Sequence, residues 1–343
     1  MKQPLNVGVI APSSVVPPVE LAIGLEHLES LGFHVQVHPQ VKKKHLFFAG
    51  TDEERAQAIL DYAFHPEIDL LWCARGGYGA QRLLPLLEEK TLQKGIPEQK
   101  LLVGFSDITA LMEFVRTKWQ WATLHAPMVA NQRFSTLPKK EWSTLISLIE
   151  TGKLDRANQS ISLKILHIPK SMDPIQEIRG QIVGGNLAVW GALYGTPYQP
   201  ITQQKILFFE DISETPSKID RMIQQLAQAG AFHKVKAIIL GDFVNCEDQP
   251  PSGLIEIKSD AALKKALKHP KKNQLAPVRP RLSQKVAFAS LFKEISERFN
   301  VPIFSEFPSG HGSKQSPIPL GSETEIIVQK APIIQWMHWS WGS

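Results

Sequence analysis

The chain has 343 residues, 43% of them apolar and 21% charged, which allows two domains with real cores and excludes a disordered polymer. No apolar run reaches the roughly 20 residues of a membrane span. Cys73 and Cys246 lack metal-type spacing, which excludes a disulfide scaffold or a cysteine-based zinc site and fits thiols in a reducing compartment.

The opening, MKQPLNVGVIAPSS, has a short apolar run interrupted by Pro12. It reads as a first core strand and not as a secretory signal, so a cytoplasmic protein is expected. The pattern then alternates. Val7–Ile10 predicts a strand, Val19–Leu31 a helix and Val35–His38 a strand. TDEERAQAILDYAF predicts a helix, with Thr51 and Glu54 at capping-box spacing. Ile68–Ala74 is a continuous apolar run, the pattern of a buried parallel strand. A helix over Gly79–Leu87, a strand over Leu101–Gly104 and an amphipathic helix after Ser106 follow. This order predicts an N-terminal α/β domain over residues 1–150, a parallel sheet flanked by helices. Ligands of such sheets sit beyond the carboxyl ends of the strands.

Residues 151–177 lose the alternation and read as a linker. The remainder, 178–343, reads as a mainly β C-terminal domain with helices. It has strands at Ile206–Phe209 and Val235–Gly241, helices at Lys218–Ala229 and Ala287–Phe299, and short strands from Ile303 to Trp341. Its basic insertion lies near 247–283. Lys258–Lys285 carries nine Lys/Arg against one acid, Asp260, more than the chain's whole net charge of +5. The basic balance therefore belongs to one solvated segment, and no nucleic-acid partner is expected.

Two loops stand where a parallel sheet binds its ligands. In LLVGFSDITALMEFV, Ser106 lies between a strand and a helix. Serine is a favoured helix N-cap. It is also the residue of a nucleophile elbow, although Ile108 occupies the place where the usual elbow has glycine. At such a corner the Asp107 amide would point toward an oxyanion. In RGGYGA the glycines allow close backbone approach, so one glycine amide could be a second oxyanion donor. That loop does not match the dinucleotide fingerprint. Arg75 suits a substrate carboxylate or a structural ion pair equally.

A serine nucleophile needs a base and an orienting acid. Among eleven histidines, His125 near a strand end and His311 in a Gly-flanked loop are candidates. In KILFFEDISE, Glu210 is expected just beyond a buried strand, Asp211 facing the opposite way and Glu214 near the next helix. Spacing does not choose between them.

Taken together, VIAPSS, FAGTDEER, RGGYGAQRLL, GFSDITAL, GGNLAVWGALYGTPYQP, ILFFEDISETPSKIDRMIQQL and GHGSKQSPIPLG resemble, in order and over nearly the whole chain, the LD-carboxypeptidase family of serine peptidases. The resemblance implies a triad of Ser106, Glu210 and His311, selecting Glu210 over Asp211 and His311 over His125. With it come oxyanion donors at the Gly77 and Asp107 N–H groups, hydrolysis of the bond to the terminal D-alanine of a murein tetrapeptide, no metal or cofactor, and a homodimer; the lack of a membrane-length apolar run adds the expectation of no membrane partner. The long basic insertion departs from the family's usual connection. Two rivals share these motifs: an immunity peptidase of the microcin C type, cleaving aminoacyl–nucleotide amides, and a non-catalytic binding protein using RGGYGA as a phosphate loop.

Overall fold

The computed structural model describes residues 4–132, 134–152, 160–172, 177–247 and 284–341, with backbone alone for 284–287. The basic insertion therefore lies, but for Glu247, outside the described residues.

Along the first half run β1 (Asn6–Ile10), α1 (Pro18–Ser30), β2 (His34–Val37), α2 (Asp52–Ala63), β3 (Leu70–Cys73), α3 (Leu84–Lys94), β4 (Leu101–Gly104), α4 (Ile108–Lys118), β5 (Ala122–His125) and α5 (Lys139–Thr151). The second half holds β6 (Ile161–Ser162), β7 (Lys164–His167), β8 (Glu177–Asn186), α6 (Leu187–Gly191), β9 (Ile206–Ile212), α7 (Pro216–Gln228), β10 (Ala237–Val244), α8 (Gln284–Phe299), β11 (Ile303–Ser305), β12 (Ile318–Leu320), β13 (Glu323–Ile327) and β14 (Ile333–His338). Among the described residues, no helix is long and apolar enough to cross a membrane.

The first sheet has the order β12-β5-β4-β3-β1-β2. Its five N-terminal strands are parallel, and β12 joins antiparallel to β5. The second sheet has the order β6-β14-β13-β8-β9-β10-β11-β7. Its centre, β8 to β11, is parallel, and its flanks are antiparallel. The architecture is thus an α/β unit joined to a second, mostly β unit with helices.

Local chemistry explains several elements. The capping box of α2 is closed: Glu54 N–H donates to Thr51 Oγ1 at 3.2 Å, and Thr51 N–H donates to Glu54 Oε2 at 2.9 Å. All four residues of β3 are buried, and Trp72 within it satisfies its indole N–H on the Pro127 carbonyl at 2.8 Å. The helix expected over Gly79–Leu87 splits into a 3₁₀ turn at Ala80–Leu83 and α3 from Leu84. Pro85 is the cause: without an N–H it is accommodated only in a first helical turn.

Three expectations are corrected by packing. The helix after Ser106 is not amphipathic at its start, because Ile108 to Val115 are all buried. It lies in one core with side chains of both sheets, including Leu71, Leu102, Ile182 and Phe208, and its two buried polar residues are satisfied there: Thr109 Oγ1 accepts from Asn186 N–H at 3.1 Å and Glu113 Oε1 accepts from Arg116 Nη2 at 2.5 Å. The stretch 151–177 contributes strands: β6 pairs with β14 and β7 with β11, forming both edges of the second sheet. Glu210 and Asp211 lie inside β9 rather than beyond it.

Period-two alternation sets the faces of β9. Ile206 and Phe208 pack toward α4 and the first sheet. Leu207 and Phe209 pack with Ile219 of α7 and Phe292 of α8. Glu210 therefore falls on the side of the first sheet, and Asp211 on the side of the helices.

Candidate active site

The chain leaves β4 at Gly104 and enters α4 at Ile108 through three residues. Ser106 sits at that corner with φ of 63°, a left-handed conformation that costs a non-glycine residue free energy and is concentrated at functional sites. Ile108 N–H donates to the Phe105 carbonyl at 3.2 Å and Thr109 N–H to the Ser106 carbonyl at 2.9 Å, which holds the turn. The N-cap is Asp107, without a side-chain capping bond. The Ser106 hydroxyl is not a cap; its Oγ lies 3.1 Å from His311 Nε2.

His311 stands in the loop between β11 and β12. Asp242 N–H donates to the Ser309 carbonyl at 2.9 Å, and Gln315 Nε2 donates to the Gly310 carbonyl at 2.7 Å. Gly310 has φ of +128°, and a Cβ there would lie 2.9 Å from Glu210 Cβ and Oε2. Only glycine lets the loop descend onto β9. His311 Nδ1 then lies 2.6 Å from Glu210 Oε2. With the ring neutral and its proton on Nδ1, Nδ1–H donates to the carboxylate and Nε2 accepts from the serine hydroxyl.

Burial of the His311 ring disfavours its charged form. The hydrogen bond and charge of Glu210, with Asp211 and Asp242 behind it, outweigh that effect and hold the pKa above the ordinary 6.5. Glu210 itself is fully buried.

The other candidate acids are occupied elsewhere. Asp211 accepts from Ala188 N–H at 2.9 Å and from Asn186 Nδ2 at 3.2 Å, tying β9 to the start of α6. Its burial, and the Glu210 charge beside it, raise its pKa to about 6. Glu214 pairs with Lys218 at 3.1 Å.

His125 is 1% exposed, edge-on to Phe105 and Phe208 at 5.7 and 5.3 Å between ring centroids. Its Nδ1 is 3.4 Å from Ser309 Oγ. Burial lowers its pKa to about 4, with the nearby Glu210 charge opposing and His311 reinforcing the shift. It is a neutral core residue that backs Phe105. His125→Ala is expected to leave turnover within about 10-fold of the parent while lowering stability by about 3 kcal/mol through the cavity it opens. Denaturant melts and initial rates measure both; a large rate loss in a stably folded variant would give His125 a part in the chemistry.

Ser106 and His311 open onto a cleft of about 450 Å³, shared with Arg75, Gly77, Met128 and Asn131. Gly76 approaches Ser106 closely, since a Cβ there would lie 3.2 Å from Ser106 Cβ. Among the described residues, neither Gly77 N–H nor Asp107 N–H donates to a protein acceptor. Arg75 is exposed and makes no ion pair among the described residues; its Nη1 donates to the Val15 carbonyl at 2.8 Å. No group of three or more His, Cys, Asp or Glu side chains there could hold a metal ion.

Residue identities alone did not single out the side chains of Asp107 and Arg55. Both are buried beneath this corner, and a buried charge is the signal that marks them.

A family model for the LD-carboxypeptidase N-terminal domain matches residues 7–126, and one for the LD-carboxypeptidase C-terminal domain matches 179–326. A murein tetrapeptide carboxypeptidase of Pseudomonas aeruginosa is 27% identical over 326 residues, covering 93% of this chain and 92% of that one. A microcin C7 self-immunity protein of Escherichia coli is 27% identical over 255 residues, 67% of this chain and 72% of that one. The crystal structure of a muramoyltetrapeptide carboxypeptidase from Oxalobacter formigenes superposes with a TM-score of 0.71 at 25% identity, covering 98% of this chain and all of that one. The two matched domains span most of the chain and contain Ser106 in the first and Glu210 and His311 in the second, and the chain belongs to the LD-carboxypeptidase family.

Proposed function

We propose that the protein is a serine L,D-carboxypeptidase that removes the terminal D-alanine from murein tetrapeptide during peptidoglycan recycling. The observation that carries this reading is the relay from Ser106 through His311 to Glu210, at 3.1 and 2.6 Å, mounted on a left-handed corner. Ser106 Oγ attacks the carbonyl of the scissile amide as His311 Nε2 takes its proton. The negative oxygen is held by the N–H groups of Gly77 and Asp107. His311 returns the proton to the leaving amine of D-alanine, and a water activated by the same nitrogen hydrolyses the acyl-enzyme. Glu210 orients the ring and stabilises its charged form. Arg75, which has no ionic partner among the described residues, receives a substrate carboxylate.

A cytoplasmic location fits the two cysteines, which are free and buried. Burial raises both thiols, that of Cys246 to about 11, so neither is poised for exchange. A homodimer is proposed on family likeness.

The test is mass spectrometry of murein tetrapeptide incubated with the protein. Loss of a single alanine residue, absent with Ser106→Ala, is expected. Unchanged tetrapeptide alongside cleavage of an aminoacyl–nucleotide amide would transfer the same machinery to the microcin-type reaction.

A further inference from the structure

Four sequence stretches with no assigned role in the relay meet under its oxyanion side: APSS after β1, TDEER at the start of α2, the end of RGGYGA, and the aspartate of GFSD. Asp107 is 4% exposed. Its Oδ2 accepts from the Ser13 hydroxyl at 2.5 Å and from Ala80 N–H at 2.8 Å. Arg55 is fully buried. Its Nη1 donates to the Pro12 carbonyl and, at 3.0 Å, to the Gly79 carbonyl, while Nη2 pairs with Asp52. The guanidinium lies 4.5 Å over the Phe48 ring. Gly79 has φ of +121°, and a Cβ there would meet Arg55 Nη1 at 2.8 Å, so only glycine leaves the guanidinium its place. Between the same two loops, Ser14 N–H donates to the Gly76 carbonyl at 3.3 Å, and Tyr78 N–H donates to Ser14 Oγ at 3.1 Å.

Two buried side chains from different elements thus hold the same two stretches, Asp107 through the Ser13 hydroxyl and Ala80 N–H and Arg55 through the Pro12 and Gly79 carbonyls, and Ser14 extends the link to Gly76 and Tyr78. Hydrogen bonds to charged groups are short and strong, and low dielectric strengthens them further. They occupy Ala80 N–H, while Ser14 occupies Tyr78 N–H; Gly77 N–H keeps no protein acceptor among the described residues. The loop so held is the one whose Gly76 touches Ser106. A donor a fraction of an ångström out of place loses much of its effect on a developing charge.

From this, and resting on the serine mechanism proposed above, we infer that the Asp107 carboxylate, backed by Arg55, is a positioning residue that clamps the Gly76–Gly77 loop against Ser106 and sets the oxyanion donors in place. Its backbone N–H and its side chain then serve the same oxyanion, one directly and one through the loop. The carboxylate touches no reacting atom.

The test uses the full chain and a fluorophosphonate probe, which needs no knowledge of the natural substrate. Ser106 Oγ bonds to phosphorus, fluoride leaves, and His311 takes the hydroxyl proton; the phosphoryl oxygen occupies the oxyanion position. Labelling at Ser106 is followed by intact mass and peptide mapping. Asp107→Ala is expected to label about 100-fold more slowly, the scale of a lost oxyanion donor. Ser13→Ala, which removes one hydrogen bond and guards against a misfolded Asp107→Ala, is expected to be about 10-fold slower. Asp107→Asn is expected to fall between Asp107→Ala and the parent, because an amide oxygen can accept both bonds but makes them without the charge. In peptide turnover the same losses should fall on kcat, with KM steady and the acid limb of His311 unmoved. Parental labelling rates in both Asp107→Ala and Ser13→Ala, or losses confined to KM, overturn the clamp. A parent protein that does not label at Ser106 overturns the serine mechanism itself, a result visible before any clamp variant is made.

Discussion

Ser106→Ala is expected to lower kcat for murein tetrapeptide by about six orders of magnitude, the scale on which loss of a nucleophile disables a triad. What remains is the fraction supplied by the oxyanion donors and by binding. The fold should persist. Ser106 makes no capping bond, so the helix start loses nothing. Alanine and serine both carry a Cβ, so the left-handed φ of 63° is about equally strained with either. Among the described residues the hydrogen bond lost is that to His311 at 3.1 Å, worth about 1 kcal/mol. Initial rates beside a thermal melt make the measurement. A variant that folds like the parent and turns over within an order of magnitude of it would remove Ser106 from the chemistry.

His311→Ala should be nearly as damaging, and the double variant with Ser106→Ala should be little worse than either, because in the proposed mechanism the two groups act in one step. Glu210→Gln should cost about 10⁴-fold in kcat, since a neutral amide cannot stabilise the imidazolium and allows the wrong tautomer. The pH profile adds a sharper signature. In the proposed mechanism His311 must be neutral to accept the serine proton, so kcat/KM should rise with pH through its folded pKa, which lies above 6.5. Burial opposes that elevation, and Glu210 contributes most to it. Glu210→Gln should therefore move the acid limb to lower pH as well as lower the plateau. A limb that stays in place would show that another group sets it.

The same shift has a consequence for stability with the opposite sign. The folded state holds the His311 proton more tightly than the unfolded chain does. Its contribution is fully present below the unfolded value near 6.5 and is lost as pH rises through the higher folded pKa. The protein should thus lose a small part of its stability over the window in which it gains activity. The Ser106→Ala variant keeps the His311–Glu210 pair and permits the melt to be followed without turnover.

How much of this was legible in the chain depends on the range of the interaction concerned. Thr51 and Glu54 close a capping box because the two partners are three residues apart, and such local free energies are written in local sequence. The same holds for β3, whose unbroken apolar run demands burial on both faces. The break before α3 is local too, set by Pro85; the burial of α4, by contrast, depends on the second sheet, which no window around Ser106 contains.

The site divides in the same way. From residue types alone, the sequence determined that a serine follows a buried strand, that glycines follow another, and that three acids and several histidines compete to join them. It could not distinguish a capping serine from a nucleophile, since both occupy a strand-to-helix corner; family likeness, not spacing, singled out Glu210 and His311. Only the tertiary structure decided which groups meet. Glu210 faces His311 because alternation along β9 puts it on the side of Ile206 and Phe208, which pack toward the first sheet. The two links of the relay span 101 and 205 residues of chain. At such separations no local preference acts, and the encounter is set by how the apolar faces of two sheets bury α4 between them.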